Sequence, residues 1–177
     1  SFLLADFVHL KKGMRICDLG AGIGLLGLLL LNRCSELTVH NVELQEAAVQ
    51  MAERNIACNS LEQQMHLHHA DLRALRGILP AGELDLVISN PPYFKTGSGG
   101  RAHGAVRAAA REEMACTIED VCRAAAYLLR WGGTFSLVFR PERLVDLFCA
   151  MRQCGIEPKR LRFVEKQAGL APILVLI

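Results

Sequence analysis

Met14-Arg15-Ile16-Cys17-Asp18-Leu19-Gly20-Ala21-Gly22-Ile23-Gly24 is the stretch from which the fold can be read. Residues 14–19 form a short apolar run, the pattern of a buried strand. The run breaks into three glycines spaced two apart, and residues 25–32 continue as a helix with leucine on all sides, which implies deep burial. Strand, glycine turn and buried helix in succession open an α/β unit.

The same alternation extends in both directions. Phe2, Leu3, Phe7 and Val8 make one face of a short helix that Lys11-Lys12-Gly13 ends. A strand over 37–42 ends at Glu43, and a helix over 45–60 carries Ala48, Met51, Ala52 and Ile56 at helical spacing. A third strand, 65–69, ends at Ala70-Asp71. After a turn at Pro80-Ala81-Gly82, the run Leu84-Asp85-Leu86-Val87-Ile88-Ser89 reads as a fourth. Thr117-Ile118-Glu119-Asp120 is a capping-box start for a helix running to about Arg130, where Trp131-Gly132-Gly133 stops it. A strand over 134–139 follows. Pro141-Glu142 opens a helix ending at Gly155, and 161–164 and 173–177 are two last strands. The expectation is a single domain over residues 1–177 with a parallel sheet covered by helices on both faces.

Composition narrows the class. At 177 residues and 51% hydrophobic, the chain can bury a substantial core and is not a disordered one. The apolar run 25–31 is too short to span a bilayer. The first six residues lack the basic start and cleavage site of a signal peptide, and the abrupt start reads as a trimmed terminus. A net charge of +2 is too small to announce nucleic acid, so that claim must rest on local clusters. Seven cysteines without a C-x-x-C pair read as reduced thiols in a cytoplasmic protein. His66, His68 and His69 lie on one strand with no cysteine or acid at ligand spacing, so no metal is expected. The chain is expected to act as a monomer, away from membranes.

In sheets of this kind ligands bind beyond the carboxyl ends of the strands. Asp18, Glu43, Asp71 and Asn90 all fall at such ends. The glycine loop there fits two patterns. Gly22-Ile23-Gly24-Leu25-Leu26-Gly27 has the dinucleotide spacing, with Glu43 about 20 residues on. Asp18-Leu19-Gly20-Ala21-Gly22-Ile23-Gly24 is instead D-x-G-x-G-x-G. A pyrophosphate wants a helix N-terminus free of nearby acids, whereas Asp18 suits a cationic, amino-acid-like ligand such as S-adenosylmethionine. In Asn90-Pro91-Pro92-Tyr93, two prolines end the strand and the first holds Asn90 extended. The turn displays a side-chain amide, the Pro91 carbonyl and an aromatic ring: two acceptors for an exocyclic amine and a face for a flat base.

On these residues the chain resembles the class I S-adenosylmethionine-dependent methyltransferases over nearly its whole length. The markers are the D-x-G-x-G-x-G loop, Glu43, Ala70-Asp71-Leu72 and Asn90-Pro91-Pro92-Tyr93. The resemblance implies a Rossmann-like sheet of seven strands ending in an antiparallel hairpin, and S-adenosylmethionine as cofactor. It implies a cofactor site of Asp18, Gly20, Gly22, Gly24, Glu43, Leu44, Asp71, Leu72 and Asn90. In that site Glu43 holds the ribose hydroxyls, Asp71 accepts from the adenine amine and the glycines cradle the methionine part. It gives catalysis to Asn90, Pro91, Pro92 and Tyr93. N-P-P-Y marks methylation of planar nitrogen in this family: adenine N6, glutamine N5 or guanine N2. The longer run through Phe94 and Lys95, with the basic stretch after it and Ala110-Arg111-Glu112, is similar to the tRNA adenine-N6 methyltransferases acting beside the anticodon of a valine tRNA. Substrate contacts are then expected from Tyr93, Phe94, Lys95, Arg101, Arg107 and Arg111, with Lys159, Arg160 and Arg162 as the next candidates for RNA. The alternatives are a DNA adenine or protein glutamine methyltransferase, a nicotinamide-dependent oxidoreductase using the dinucleotide spacing, and a cofactor-binding module without catalysis.

Overall fold

The computed structural model describes residues 1–91 and 116–177. Its elements are α1 (Phe2–Phe7), β1 (Arg15–Leu19), α2 (Leu25–Arg33), β2 (Thr38–Glu43), α3 (Glu46–Cys58), β3 (Met65–His69) and β4 (Leu84–Ser89). They are followed by α4 (Ile118–Leu128), β5 (Leu129–Phe139), α5 (Leu144–Gln153), β6 (Arg162–Val164) and β7 (Leu174–Leu176). The strands form one seven-stranded sheet in the order β3-β2-β1-β4-β5-β7-β6. β1 through β5 pair in parallel, and β7 runs antiparallel between β5 and β6. This is the mostly parallel sheet with a terminal hairpin that the sequence leads one to expect. The strand order turns round between β1 and β4, and a crevice opens at such a switch.

Side chains alternate across the sheet and build two cores. Ile16, Val39, Leu86 and Ile88 pack with Leu4 and Phe7 of α1 and with Leu26 and Leu30 of α2. Cys17, Leu19, Val42 and Val87 pack on the other face with Val121 and Leu128 of α4 and with Leu147 of α5. Gly27 lets α2 come close to the sheet: a Cβ there would lie 2.7 Å from Met65 Cε and 3.2 Å from Val39 Cγ1. Among the described residues no helix is long and apolar enough to cross a membrane.

Three local expectations need correction. α1 buries Leu4, Ala5 and Phe7 while Phe2 and Leu3 are 68% and 47% exposed, because the helix meets the sheet with its later turn. In α3 the buried face is Val49, Ala52 and Ile56, and Met51 points to solvent at 51% exposure. The third concerns Trp131-Gly132-Gly133, read as a helix stop before a strand at 134. α4 in fact ends at Leu128, and β5 begins at once, with Leu129 opposite Leu84 and Thr134 opposite Leu86. Residues 130–133 therefore bulge out opposite Asp85 alone. The Arg130 guanidinium pins the bulge to the Asp85 carboxylate at 2.7 Å. Pairing with β4 captures this segment before a free turn can form. The capping box at Thr117 does form: Thr117 Oγ1 accepts from the Asp120 amide at 3.2 Å, and Asp120 Oδ2 accepts from the Thr117 amide at 3.1 Å.

The bulge makes a stability prediction. A Cβ on Gly133 would lie 3.0 Å from the carbonyl oxygens of both Arg130 and Leu84, and backbone cannot step aside as a side-chain tip can. Gly133→Ala is expected to lower stability by about 1–3 kcal/mol in urea titration, the usual range for overpacking. Trp131, 97% exposed at the tip, contributes no buried area, and Trp131→Ala should change stability by no more than about 0.5 kcal/mol.

Candidate active site

The parallel register brings the strand ends to one height. Leu19 pairs with Val42 on one side and with Ser89 on the other, and Glu43 pairs with His69. Glu43 and Asn90 thus stand one residue above Leu19 on the strands flanking β1. Asp18 stands one residue below it, and Asp71 two residues beyond His69. The predicted acids and the predicted amide come together along one edge in the order Asp71, Glu43, Asp18, Asn90, set by the order β3-β2-β1-β4. Adjacent strands lie about 4.8 Å apart, so the row spans roughly 14 Å.

Glu43 joins the site to the fold. It is 7% exposed; its Oε2 accepts from the Gly22 amide at 2.8 Å and its Oε1 from the Gln45 amide at 2.8 Å. One carboxylate therefore ties the glycine loop to β2 and satisfies the entry to α3. Backbone amides of Gly20 and Ala21 donate to the Val42 carbonyl at 2.9 and 3.0 Å, holding the loop from below. Gly20, Gly22 and Gly24 have φ of +75°, +55° and +80°, a left-handed region that side chains disfavour. A Cβ at Gly20 or Gly22 would meet nothing within 4 Å, so the backbone angle, not crowding, is what calls for glycine.

Asp18 is the anomaly. It is 1% exposed and neither carboxylate oxygen has a hydrogen-bond partner among the described residues. Burial, and then the Glu43 charge, push its pKa up from 3.8 to about 7. An unpaired buried carboxylate is costly, so it belongs either to a neutral acid or to a site that receives a cation. Asp71 is already engaged. Its oxygens accept from the Arg73 amide at 2.8 Å and from the Arg73 guanidinium at 2.6–3.0 Å, which holds the acid below the usual carboxylate range. It also caps the short 3-10 turn Leu72–Ala74. An adenine amine at Asp71 would share the acid with Arg73. Leu44 is 39% exposed beside Glu43, and Leu72 is half-buried. Asn90 is half-buried, with its Nδ2 3.5 Å from Ser1 Oγ, and Pro91 follows it half-buried. Pro92, Tyr93, Phe94, Lys95, Arg101, Arg107 and Arg111 lie outside the described residues.

Two polar residues of this region were not singled out from sequence. Ser89 is fully buried and its Oγ donates to the Leu19 carbonyl at 2.7 Å, tying the ends of β4 and β1 together under Asn90. Asn41 lies opposite Asp18, fully buried, and neither amide atom has a partner among the described residues. Ser89 could have been noticed as a polar end to the apolar run 86–88, whereas β2 mixes polar and apolar residues and gives no such signal for Asn41. Among the described residues no group of histidines, cysteines or acids is arranged to hold a metal. His40 meets His68 instead, Nδ1 to Nε2 at 3.1 Å, with His66 stacked beside them.

Asp18 makes a pH prediction. Its folded pKa of about 7 exceeds the ordinary value of 3.8, so the folded state binds the extra proton between those limits. Stability from this group is complete below about 3.8 and is lost as pH rises to about 7. His40 works in the opposite sense: burial, then His68 and His66, depress its pKa to about 4, so its contribution grows with pH up to its ordinary 6.5. Comparing Asp18→Asn with the parent protein isolates the acid. The variant is expected to gain relative stability steadily from pH 4 to 7.5 in denaturant titrations without ligand. A constant difference across that range would show that Asp18 titrates normally.

Comparisons with known proteins give the family. The family model described as Methyltransferase small domain matches residues 1–145. The tRNA1(Val) (adenine(37)-N6)-methyltransferase of Tolumonas auensis is 33% identical over 186 residues, covering 100% of this chain and 73% of the relative. The protein of the same name from Actinobacillus succinogenes is 31% identical over 165 residues, covering 89% of this chain and 68% of the relative. A solved structure of a predicted O-methyltransferase from Agrobacterium tumefaciens has the same fold, with a TM-score of 0.75 at 22% identity over 99% of this chain and 77% of that one. The family and the relatives do not favour the oxidoreductase alternative. The chain belongs to the methyltransferase small domain family, within the class I S-adenosylmethionine-dependent methyltransferases.

Proposed function

We propose that this enzyme transfers the methyl group of S-adenosylmethionine to the exocyclic N6 amine of an adenine in tRNA, at the position beside the anticodon that its relatives' names specify. The observation that carries the proposal is the order of polar strand ends, Asp71, Glu43, Asp18 and Asn90, along a row three strand spacings long. That order matches the cofactor read from adenine through ribose to methionine, with the substrate amine next.

The residues fit the cofactor. Glu43 keeps lone pairs on both oxygens for ribose hydroxyls after accepting from Gly22 and Gln45. Asp18, buried without a partner, faces the end of the row where an ammonium is needed. When bound, the cofactor supplies an electrophilic methyl on a sulfonium. The chain's own part is to position the amine and to stabilise charge at its nitrogen. An aromatic amine is a poor nucleophile because its lone pair is spread into the ring. The Asn90 side-chain oxygen and the Pro91 carbonyl accept from its two hydrogens and favour a pyramidal nitrogen with the lone pair facing the methyl. These dipoles are fixed before the reaction and stabilise developing positive charge without reorganising. Tyr93 stacks on the base. A base stacked in the anticodon loop is first flipped out to reach Asn90. A tRNA substrate and free cysteines among the described residues support a cytoplasmic location.

Three outcomes test this reading. Asn90→Ala is expected to lower turnover on tRNA by about 10²–10³-fold, the loss typical of one aimed transition-state group, while S-adenosylhomocysteine affinity stays within a few-fold. Turnover near that of the parent would remove Asn90 from the chemistry. Labelled methyl should appear in tRNA rather than in DNA or protein glutamine. Asp18→Asn is expected to weaken S-adenosylhomocysteine binding and to abolish the gain in affinity that the parent shows as Asp18 ionises near pH 7. Calorimetry at pH 6 and 7.5 measures both.

A further inference from the structure

The end of α1 meets an arginine cluster. Arg160 lies over the Phe7 ring at 3.9 Å from its centroid and donates to the Phe7 carbonyl. Arg162 lies 5.4 Å from the same ring and reaches Asp6 at 3.3 Å. Arg33 donates to the carbonyls of Ala5 and Val8. All three arginines are exposed, and among the described residues neither Arg33 nor Arg160 has a carboxylate partner. Three guanidinium groups thus face one acid, Asp6, which is itself 74% exposed. The neutral partners of Arg33 and Arg160, helix carbonyls and a ring, hold these two guanidinium groups in place and leave their charge uncancelled, while Arg162 shares the exposed Asp6.

The cluster also stands at a definite height. Ser89 pairs with Leu137, and Arg162 pairs with Leu176, which pairs with Val138. Asn90 and Arg162 therefore occupy the same row, with β5 and β7 between their strands. At about 4.8 Å per strand they are roughly 14 Å apart. Stacked nucleotides rise about 3.4 Å each along a strand, so this distance is about four nucleotides. α1 fills the gap, starting at Ser1 beside Asn90 and ending at Phe7 under Arg160. Phe2 and Leu3 are exposed along it.

Resting on the tRNA reading above, we infer that Arg33, Arg160 and Arg162 form a phosphate-docking surface that holds the tRNA backbone a few nucleotides from the adenine at Asn90. The partner is RNA because the surface offers exposed guanidinium groups held in place, two of them without a carboxylate partner among the described residues, and Arg162 stands on the row of Asn90. Phosphate contacts of this kind set position along a strand and carry no sequence information. A purely structural role, capping α1, is the competing account.

The test measures affinity for bulk tRNA between 50 and 200 mM salt for the parent, for Arg160→Gln with Arg162→Gln, and for Arg160→Lys with Arg162→Lys. Loss of two phosphate contacts should reduce the log–log salt slope by about 1.4–1.8. The ratio of parent to glutamine-variant affinity should then shrink roughly seven- to twelvefold across that range. The lysine variant keeps the charges and should retain most of the slope, although it loses the fork that caps α1. S-adenosylhomocysteine affinity and thermal midpoint are read for each protein. If the glutamine and lysine variants lose thermal midpoint together and keep the parent's slope, the arginines are structural and the inference is overturned. If the parent itself neither binds nor methylates tRNA, the functional reading fails instead.

Discussion

In β1, Leu19 pairs with Val42 on one side and Ser89 on the other, and this row sets the height at which three strands end. The Ser89 hydroxyl reinforces it by bonding the Leu19 carbonyl. Because the strands are parallel, their carboxyl ends fall on one edge and their side chains leave the two cores there. Apolar side chains are needed below that row and not above it. Of the polar residues there, Asp71 and Asn90 are half-buried, Glu43 and Ser89 are buried with hydrogen-bond partners, and Asp18 and Asn41 lie one step inside.

Those two residues are where fold and function conflict. A buried carboxylate without a partner weakens the folded state whenever it is ionised. The nearby Glu43 charge raises its pKa further, and the amino terminus offsets only part of the rise. In the proposed function a cationic ligand supplies the missing partner. The protein without ligand is then less stable than its core would allow, and ligand binding restores the difference. Glu43 and Asp71 are built differently. Each is satisfied in the empty site, by loop amides or by Arg73, and each orders its own segment. The site thus has three acids, two of which shape it and one of which waits for charge.

Catalysis asks little of the chain in acid–base terms. An amine that must become a better nucleophile needs acceptors in fixed directions. Proline at 91 removes the amide that would let the strand continue and holds Asn90 extended. In the proposed function, the same local stiffness that ends β4 aims the acceptors. α1 begins beside Asn90 and ends against Arg160 and Arg162, so one short helix spans from the reaction centre to the edge of the sheet.

The glycine loop, the alternating runs and the polar residue after each strand were legible from the residues alone, because backbone angle, periodicity and burial are local properties. They were sufficient for the parallel sheet and the four strand-end positions, while the antiparallel hairpin was implied by the family resemblance. Where two local signals competed, tertiary pairing decided. Gly132 and Gly133 look like a helix stop, yet Leu129 is captured by Leu84 and the glycines serve a bulge. Met51 has helical spacing, but only packing could choose Val49 for the buried face. The loss of every partner at Asp18, the sharing of Asp71 with Arg73 and the stacking of Arg160 on Phe7 join residues far apart or depend on burial. No sequence pattern encodes the distances between elements. Those come from the register of parallel strands and from how closely a helix such as α2, with Gly27 facing Met65, can approach the sheet.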